Sequence, residues 1–222
     1  MMPFTGGIEG TANATLLFSV AAAVIYLAML RRPPSWRRTL AKTGSILLLA
    51  WLAYAEAGPP LLVAALVLSA AGDACLAQEG EKPFLAGLGA FLAAHLAYAA
   101  LFWSAGDVAR FGAEPWRILL ALAMIGFSAA MFRLLRPLLR ADMQAPVAAY
   151  MVAILAMGVA AASLPAPLVI LGAVAFMASD AILAVERFML PSASPHRAWT
   201  GAGVWILYWI AQALITLGVL LT

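Results

Sequence analysis

Apolar residues in this chain run in long unbroken blocks, and each block is closed by charges, glycine or proline. The blocks fall at about 12–30, 40–57, 60–78, 84–104, 115–135, 145–163, 166–187 and 199–221. A helix that crosses a bilayer needs about 20 apolar residues. Membrane β-barrels, whose strands alternate apolar and polar positions, are excluded by the continuity of the runs. The pattern predicts an all-α polytopic membrane protein: one integral membrane domain over residues 1–222, a bundle of eight transmembrane helices. Connections are short, and several carry helix-ending signals, such as Arg31-Arg32-Pro33-Pro34, Gly58-Pro59-Pro60 and Pro165-Ala166-Pro167. No segment is long enough for a soluble domain, so any chemistry belongs in or beside the membrane.

Composition narrows this further. Of 222 residues, 65% are hydrophobic and 10% charged, with a mean hydropathy of +0.99. That is too little charge to cover a water-facing surface. A net charge of +3 is too small and scattered for a nucleic-acid surface. Cys75 is the single cysteine, so no intrachain disulfide forms, and in its apolar run it reads as an inert buried thiol. His95 and His196 form no HExxH or Cys/His cluster, and neither a metal nor a cofactor is expected. No basic residue precedes the first apolar run, whereas Arg31 and Arg32 follow it. This reverses the order of a cleavable leader, and the first span is expected to stay as a helix.

The distribution of basic residues gives the orientation. Arg31, Arg32, Arg37, Arg38, Lys42, Lys82, Arg133, Arg136, Arg140, Arg187 and Arg197 flank the loops after the first, third, fifth and seventh runs. Only Arg110 and Arg117 fall on the opposite side. Basic residues concentrate on the cytoplasmic side, which places both termini outside. The expected location is a bacterial inner membrane.

The segment Ala71–Glu79 matches Ala178–Glu186 at six of nine positions, at an offset of 107 residues. Each copy centres on an aspartate, Asp73 or Asp180. Two halves of four helices in parallel repeat would produce such an echo.

Acidic residues inside a span carry the most information, because each costs several kcal/mol in hydrocarbon unless partnered or neutral. Glu56, Glu79 and Glu186 sit at run ends. Asp73 and Asp180 lie about five to seven residues inside the cytoplasmic ends of their runs, roughly 8–10 Å deep. Two carboxylates at matching depth would meet in one cavity; the alternative is an acid held by Lys or Arg for packing alone. Lys42, with Ser45 one turn deeper, pairs with either carboxylate, meets a lipid phosphate, or snorkels to the surface. His95 and Tyr98 share a helix face at i, i+3. Gly201, Trp205, Tyr208 and Gln212 form one stripe on the last helix, as cavity lining or as glue between helices.

These residues resemble the YhhN-like membrane family. Ser69, Gly72, Asp73 and Leu76, then Phe84, Gly87, Leu88, Phe91, His95 and Tyr98, carry the first part of the resemblance. Ser179, Asp180, Leu183, Ala184 and Phe188, then Tyr208, Trp209 and Gln212, carry the second, so it extends from Lys42 to Gln212. Where the family often has Lys-Pro opening its second helix, Lys42 here precedes Thr43. The resemblance implies a membrane-embedded hydrolase that cleaves the vinyl ether of lysoplasmalogens, with a lysophospholipid and water as substrates and no cofactor. Asp73 and Asp180 would be the catalytic pair, supported by Lys42, Ser69, His95, Tyr98, Ser179, Tyr208 and Gln212.

The chemistry suits those residues. A vinyl ether hydrolyses through proton transfer to carbon, and the oxocarbenium ion that forms is captured by water. One neutral and one ionised carboxyl supply the acid and the stabilising anion. A proton-coupled small-molecule or lipid transporter is the alternative, since paired membrane carboxylates in a two-fold repeat also describe a carrier. Intramembrane aspartyl proteases use two membrane aspartates as well. Their Gly-x-Gly-Asp and Tyr-Asp patterns are absent, because Ala70 and Ser179 stand at the discriminating positions.

The charge asymmetry makes a direct prediction. Single cysteines placed beside Pro3 and at Thr222 should be labelled by a membrane-impermeant thiol reagent in intact cells, in a Cys75→Ala background, whereas one at Ser194 should stay protected.

Overall fold

A computed structural model describes residues 2–7, 10–191 and 193–222. The described residues form no strand. They fold into α1 (Thr11–Met29), α2 (Trp36–Ala55), α3 (Pro60–Leu76), α4 (Glu81–Ala105), a five-residue α5 (Ala109–Ala113), α6 (Trp116–Leu135), α7 (Ala141–Ala161), α8 (Pro167–Phe188) and α9 (Arg197–Leu220). Every apolar run thus contains one long helix. Six of them, α1, α4, α6, α7, α8 and α9, are long and apolar enough to cross a membrane on their own. The other two fall short for different reasons. In α2, Arg37, Arg38 and Lys42 occupy the first two turns, and α3 stops at 17 residues.

Local chemistry sets several boundaries. The Ser35 side chain accepts a hydrogen bond from the Arg38 backbone N–H, so α2 starts four residues before its apolar run. Pro60 and Pro167 open α3 and α8, where a missing N–H costs nothing. Pro146 lies inside the second turn of α7, which begins earlier than its apolar run because Ala141 to Gln144 continue the helix on its polar side. At the far end of α7, the buried Arg117 guanidinium donates to the carbonyls of Ala162 and Leu164 at 2.6 and 2.8 Å. It thereby satisfies acceptors that the helix end leaves open.

The outside of the bundle is apolar, with Phe18, Val24, Leu96, Leu119, Val152 and Leu171 all exposed. A protein surrounded by hydrocarbon has no reason to hide such side chains. Between helices, close approach is achieved with small residues. A methyl group at Gly172 of α8 would lie 2.8 Å from Ile215 and 2.9 Å from the Ala211 carbonyl of α9. At Gly218 of α9 it would lie 2.7 Å from a Val169 methyl. α3 and α4 meet in the same way, with the Phe91 ring resting on Gly72.

The pairing of helices has a two-part pattern. α3 packs along α4, and α8 along α9; α2 touches α3 as α7 touches α8. Across the halves, α4 lies against α7 and α9 against α2.

Because the α8–α9 contact at Gly172 is backbone to backbone, Gly172→Ala cannot be absorbed by rotating a side chain. The variant should lose about 1–3 kcal/mol of stability, read as a lower thermal midpoint in detergent.

Candidate active site

Asp73 and Asp180 line one cavity of about 380 Å³ at the end of the bundle where α2 and α9 begin and α3 and α8 finish. Their surroundings differ. Asp73 is almost fully buried, and its Oδ1 lies 2.9 Å from Lys42 Nζ. Its Oδ2 accepts a hydrogen bond from the Tyr208 hydroxyl at 2.7 Å. Both oxygens therefore receive donors, one of them cationic, an arrangement that favours the carboxylate form.

Among the described residues Asp180 has no Lys or Arg within ion-pair distance, and it opens further to the cavity, with its side chain 14% exposed. Its Oδ2 accepts the Tyr150 hydroxyl at 2.5 Å. The fully buried His95 holds its Nδ1 2.7 Å from the Phe91 carbonyl. A carbonyl can only accept, so Nδ1 carries the hydrogen, and in the neutral ring Nε2 presents a lone pair. That Nε2 faces Asp180 Oδ2 at 3.8 Å and has no hydrogen-bond partner among the described residues. Phe176 and Tyr150 pack edge-on against the imidazole and fix its plane.

The two aspartates are gripped by matching elements. Asp73 on α3 takes Lys42 from α2 and Tyr208 from α9. Asp180 on α8 takes Tyr150 from α7 and faces His95 of α4. Each thus uses the helix preceding its own and the last helix of the other half. Shifting Lys42 by the 107-residue offset of the sequence echo arrives one position short of Tyr150.

The remaining predicted residues divide. Ser179 and Tyr208 line the cavity, and the Ser179 hydroxyl donates to the Val204 carbonyl of α9 at 3.0 Å. Tyr98 and Gln212 are fully buried and do not line it; the Tyr98 hydroxyl donates to Gln212 Oε1 at 2.5 Å. This pair joins α4 to α9 behind the site. Ser69 is buried one turn before Asp73, its hydroxyl without a partner among the described residues. Among the described residues no group of His, Cys, Asp and Glu could hold a metal ion.

Two features depart from the sequence reading. α3 ends three residues after Asp73, whereas α8 continues eight residues beyond Asp180. At 1.5 Å per residue the two lie about 4.5 and 12 Å from their helix ends. α3 is cut short by the tight turn through Gly80, whose φ of 123° only glycine adopts readily. Tyr150 had no signal in sequence, because a tyrosine in an apolar run is indistinguishable from packing until its partner is known.

A narrower apolar groove of about 90 Å³ adjoins the cavity and shares Asp180, Phe84, Phe91 and Leu183 with it. Its far wall is formed by Met131, Val147, Met151 and Phe188. The polar cavity and apolar groove therefore meet at Asp180.

This chain can be set beside known proteins. Residues 36–219 match the model of the YhhN family. The chain is 35% identical to human Lysoplasmalogenase TMEM86B over 193 residues, 84% of this chain and 76% of that protein. It is 38% identical over 162 residues to proteins named Lysoplasmalogenase from Mycobacterium bovis and Mycobacterium tuberculosis. Those alignments cover 71% of this chain and 59% of the mycobacterial proteins' length. No solved structure matches it significantly. A family match across nearly all the long helices, joined to relatives at this identity, identifies the chain as a member of the YhhN family.

Proposed function

We propose that this chain is a lysoplasmalogenase, in which Asp180 delivers the proton and Asp73 remains the anion. The observation that carries the reading is the unequal partnering of two carboxylates in one cavity. Asp73 has an ammonium and a phenol on its two oxygens. Asp180 has a phenol and, 3.8 Å away, an imidazole that is a cation only when protonated; without a committed cation, its carboxyl is the one of the two better able to hold a proton. The relatives named lysoplasmalogenase support the general activity.

In the reaction, the Asp180 carboxyl gives its proton to the β-carbon of the vinyl ether. The electrons of the double bond form the new C–H bond, and the positive charge that results is shared by the α-carbon and the ether oxygen. Asp73 and the newly ionised Asp180 stabilise that cation, as paired carboxylates do in glycosidases. Water adds to the α-carbon and returns a proton to Asp180, giving a hemiacetal. Its C–O bond to glycerol breaks as the hydroxyl loses a proton and the departing oxygen gains one. One water is consumed; a fatty aldehyde and a glycerophospho-alcohol, glycerophosphoethanolamine or glycerophosphocholine, leave. In this reading the alkenyl chain lies in the apolar groove and the headgroup in the polar cavity.

The topology follows the same proposal. All eight long helices cross the membrane, with α2 and α3 covered by their neighbours, and both termini lie outside. The cavity then opens toward the cytoplasmic leaflet of a bacterial inner membrane. The two halves are a four-plus-four parallel repeat.

Purified protein in detergent should release fatty aldehyde from 1-alkenyl-glycerophosphoethanolamine. Asp180→Asn and Asp73→Asn should each lower turnover by about 10²–10⁴-fold while the protein remains folded, the range for a lost acid–base group. Near-normal turnover in either variant overturns the assignment. Substrate that crosses sealed vesicles intact, with no aldehyde formed, would instead identify a carrier. Lys42→Met leaves the Asp73 charge unpaired and should also cost about 3–5 kcal/mol of stability, seen as a lower thermal midpoint.

A further inference from the structure

The cationic residues at the cavity mouth are not equivalent. Lys42 is committed to Asp73 at 2.9 Å. Arg197 is consumed by the end of α8: its guanidinium donates to the carbonyls of Glu186, Leu190 and Pro191 and lies 3.7 Å from the Glu186 carboxylate. Glu186 is in turn held by Arg197 and the Thr200 hydroxyl. Arg38 donates to the Arg32 carbonyl at 3.0 Å and rests over the Tyr26 ring. Arg187 alone of these four makes no hydrogen bond or ion pair to any described residue.

Arg187 is nevertheless held in place. Its guanidinium carbon lies 4.3 Å from the centre of the Phe84 ring, a stacking contact that fixes the plane and leaves the N–H edges open. It is exposed at the last turn of α8, and it lines both the polar cavity and the apolar groove. Asp180 lies two helical turns deeper on the same helix, about 10 Å away along the axis. In a 1-alkenyl lysophospholipid the phosphate is separated from the vinyl ether by the three glycerol carbons, a comparable span. A planar fork of donors is the group best suited to two phosphate oxygens at once.

Resting on the proposed hydrolase reading, we infer that Arg187 is the phosphate-binding residue, which selects phosphate-bearing lysolipids and sets their vinyl ether against Asp180. The Glu79 carboxylate on the same mouth, without a salt bridge among the described residues, would face the ammonium of a zwitterionic headgroup.

The test compares two substrates in purified full-length protein: 1-alkenyl-glycerophosphoethanolamine and the phosphate-free 1-alkenyl-glycerol. Arg187→Gln should raise KM for the first by about ten- to hundredfold, the size of one charge-assisted phosphate contact. The KM for the second, which offers nothing to the guanidinium, should move by no more than about twofold, and kcat for both should change far less than that KM. Arg187→Lys should restore only part of the loss, because a point charge replaces a fork. Equal changes for both substrates, or none, would overturn the assignment.

Binding of a fluorescently labelled, non-cleavable 1-alkyl lysophospholipid separates this inference from the hydrolase reading. If the wild-type protein cleaves neither substrate, about tenfold weaker binding to Arg187→Gln still supports the phosphate site, and unchanged binding refutes it. Inorganic phosphate is the second probe. Displacement of the lysolipid by millimolar phosphate as effectively as by unlabelled lysolipid would show a site for the free ion and overturn the lipid assignment.

Discussion

Two carboxylates inside a bundle of apolar helices set the constraint around which the rest is arranged. A buried charge without donors costs several kcal/mol, and a membrane offers no water to compensate. Asp73 and Asp180 are therefore tied into the bundle by side chains from four other helices: Lys42 of α2, Tyr208 of α9, Tyr150 of α7 and His95 of α4. Glycines let each aspartate's helix pack closely on a neighbour, α3 on α4 with Gly72 against Phe91 and α8 on α9 with Gly172 against Ile215.

The consequence is a site that is symmetric in its scaffold and asymmetric in its chemistry. Each aspartate is held by the helix before its own and by the last helix of the opposite half. On the helix preceding each aspartate's own, however, one half carries a lysine and the other a tyrosine. An ammonium and a phenol meet one carboxylate, while a phenol donates to the other and an imidazole faces it at 3.8 Å. Two chemically identical residues are thereby given different surroundings, which is what the proposed acid–base pair requires.

The same economy is visible at the cavity mouth. Four cationic residues look alike in the sequence, but three are occupied by a carboxylate, by helix-end carbonyls or by a loop carbonyl. Helix ends inside a membrane protein leave acceptors that must be met, and arginine with its five donors is the residue that meets several at once. Arg117 does so at the opposite end, where it closes α7 onto the turn to α8.

The sequence by itself determined that the chain is a helical membrane protein, where its helices lie, and that Asp73 and Asp180 are its unusual residues. These follow from unbroken apolar runs and from the cost of an acid within them, which are local properties. The bounds of α2, α3 and α7 shifted because a serine cap, a glycine turn and a polar extension are decided by a few atoms at each end. Lys42, His95 and Tyr208 were legible as polar residues in apolar runs, but their partners were not. Only the tertiary structure decided that Lys42 belongs to Asp73, that His95 turns its Nε2 to Asp180, and that Tyr98 and Gln212 pair behind the cavity. Tyr150 and the unoccupied Arg187 also emerged only there. The physical reason is that a side chain's role depends on which donor or acceptor faces it across the bundle, and neighbours brought together from residues 30 to 135 positions apart leave no mark in the local pattern.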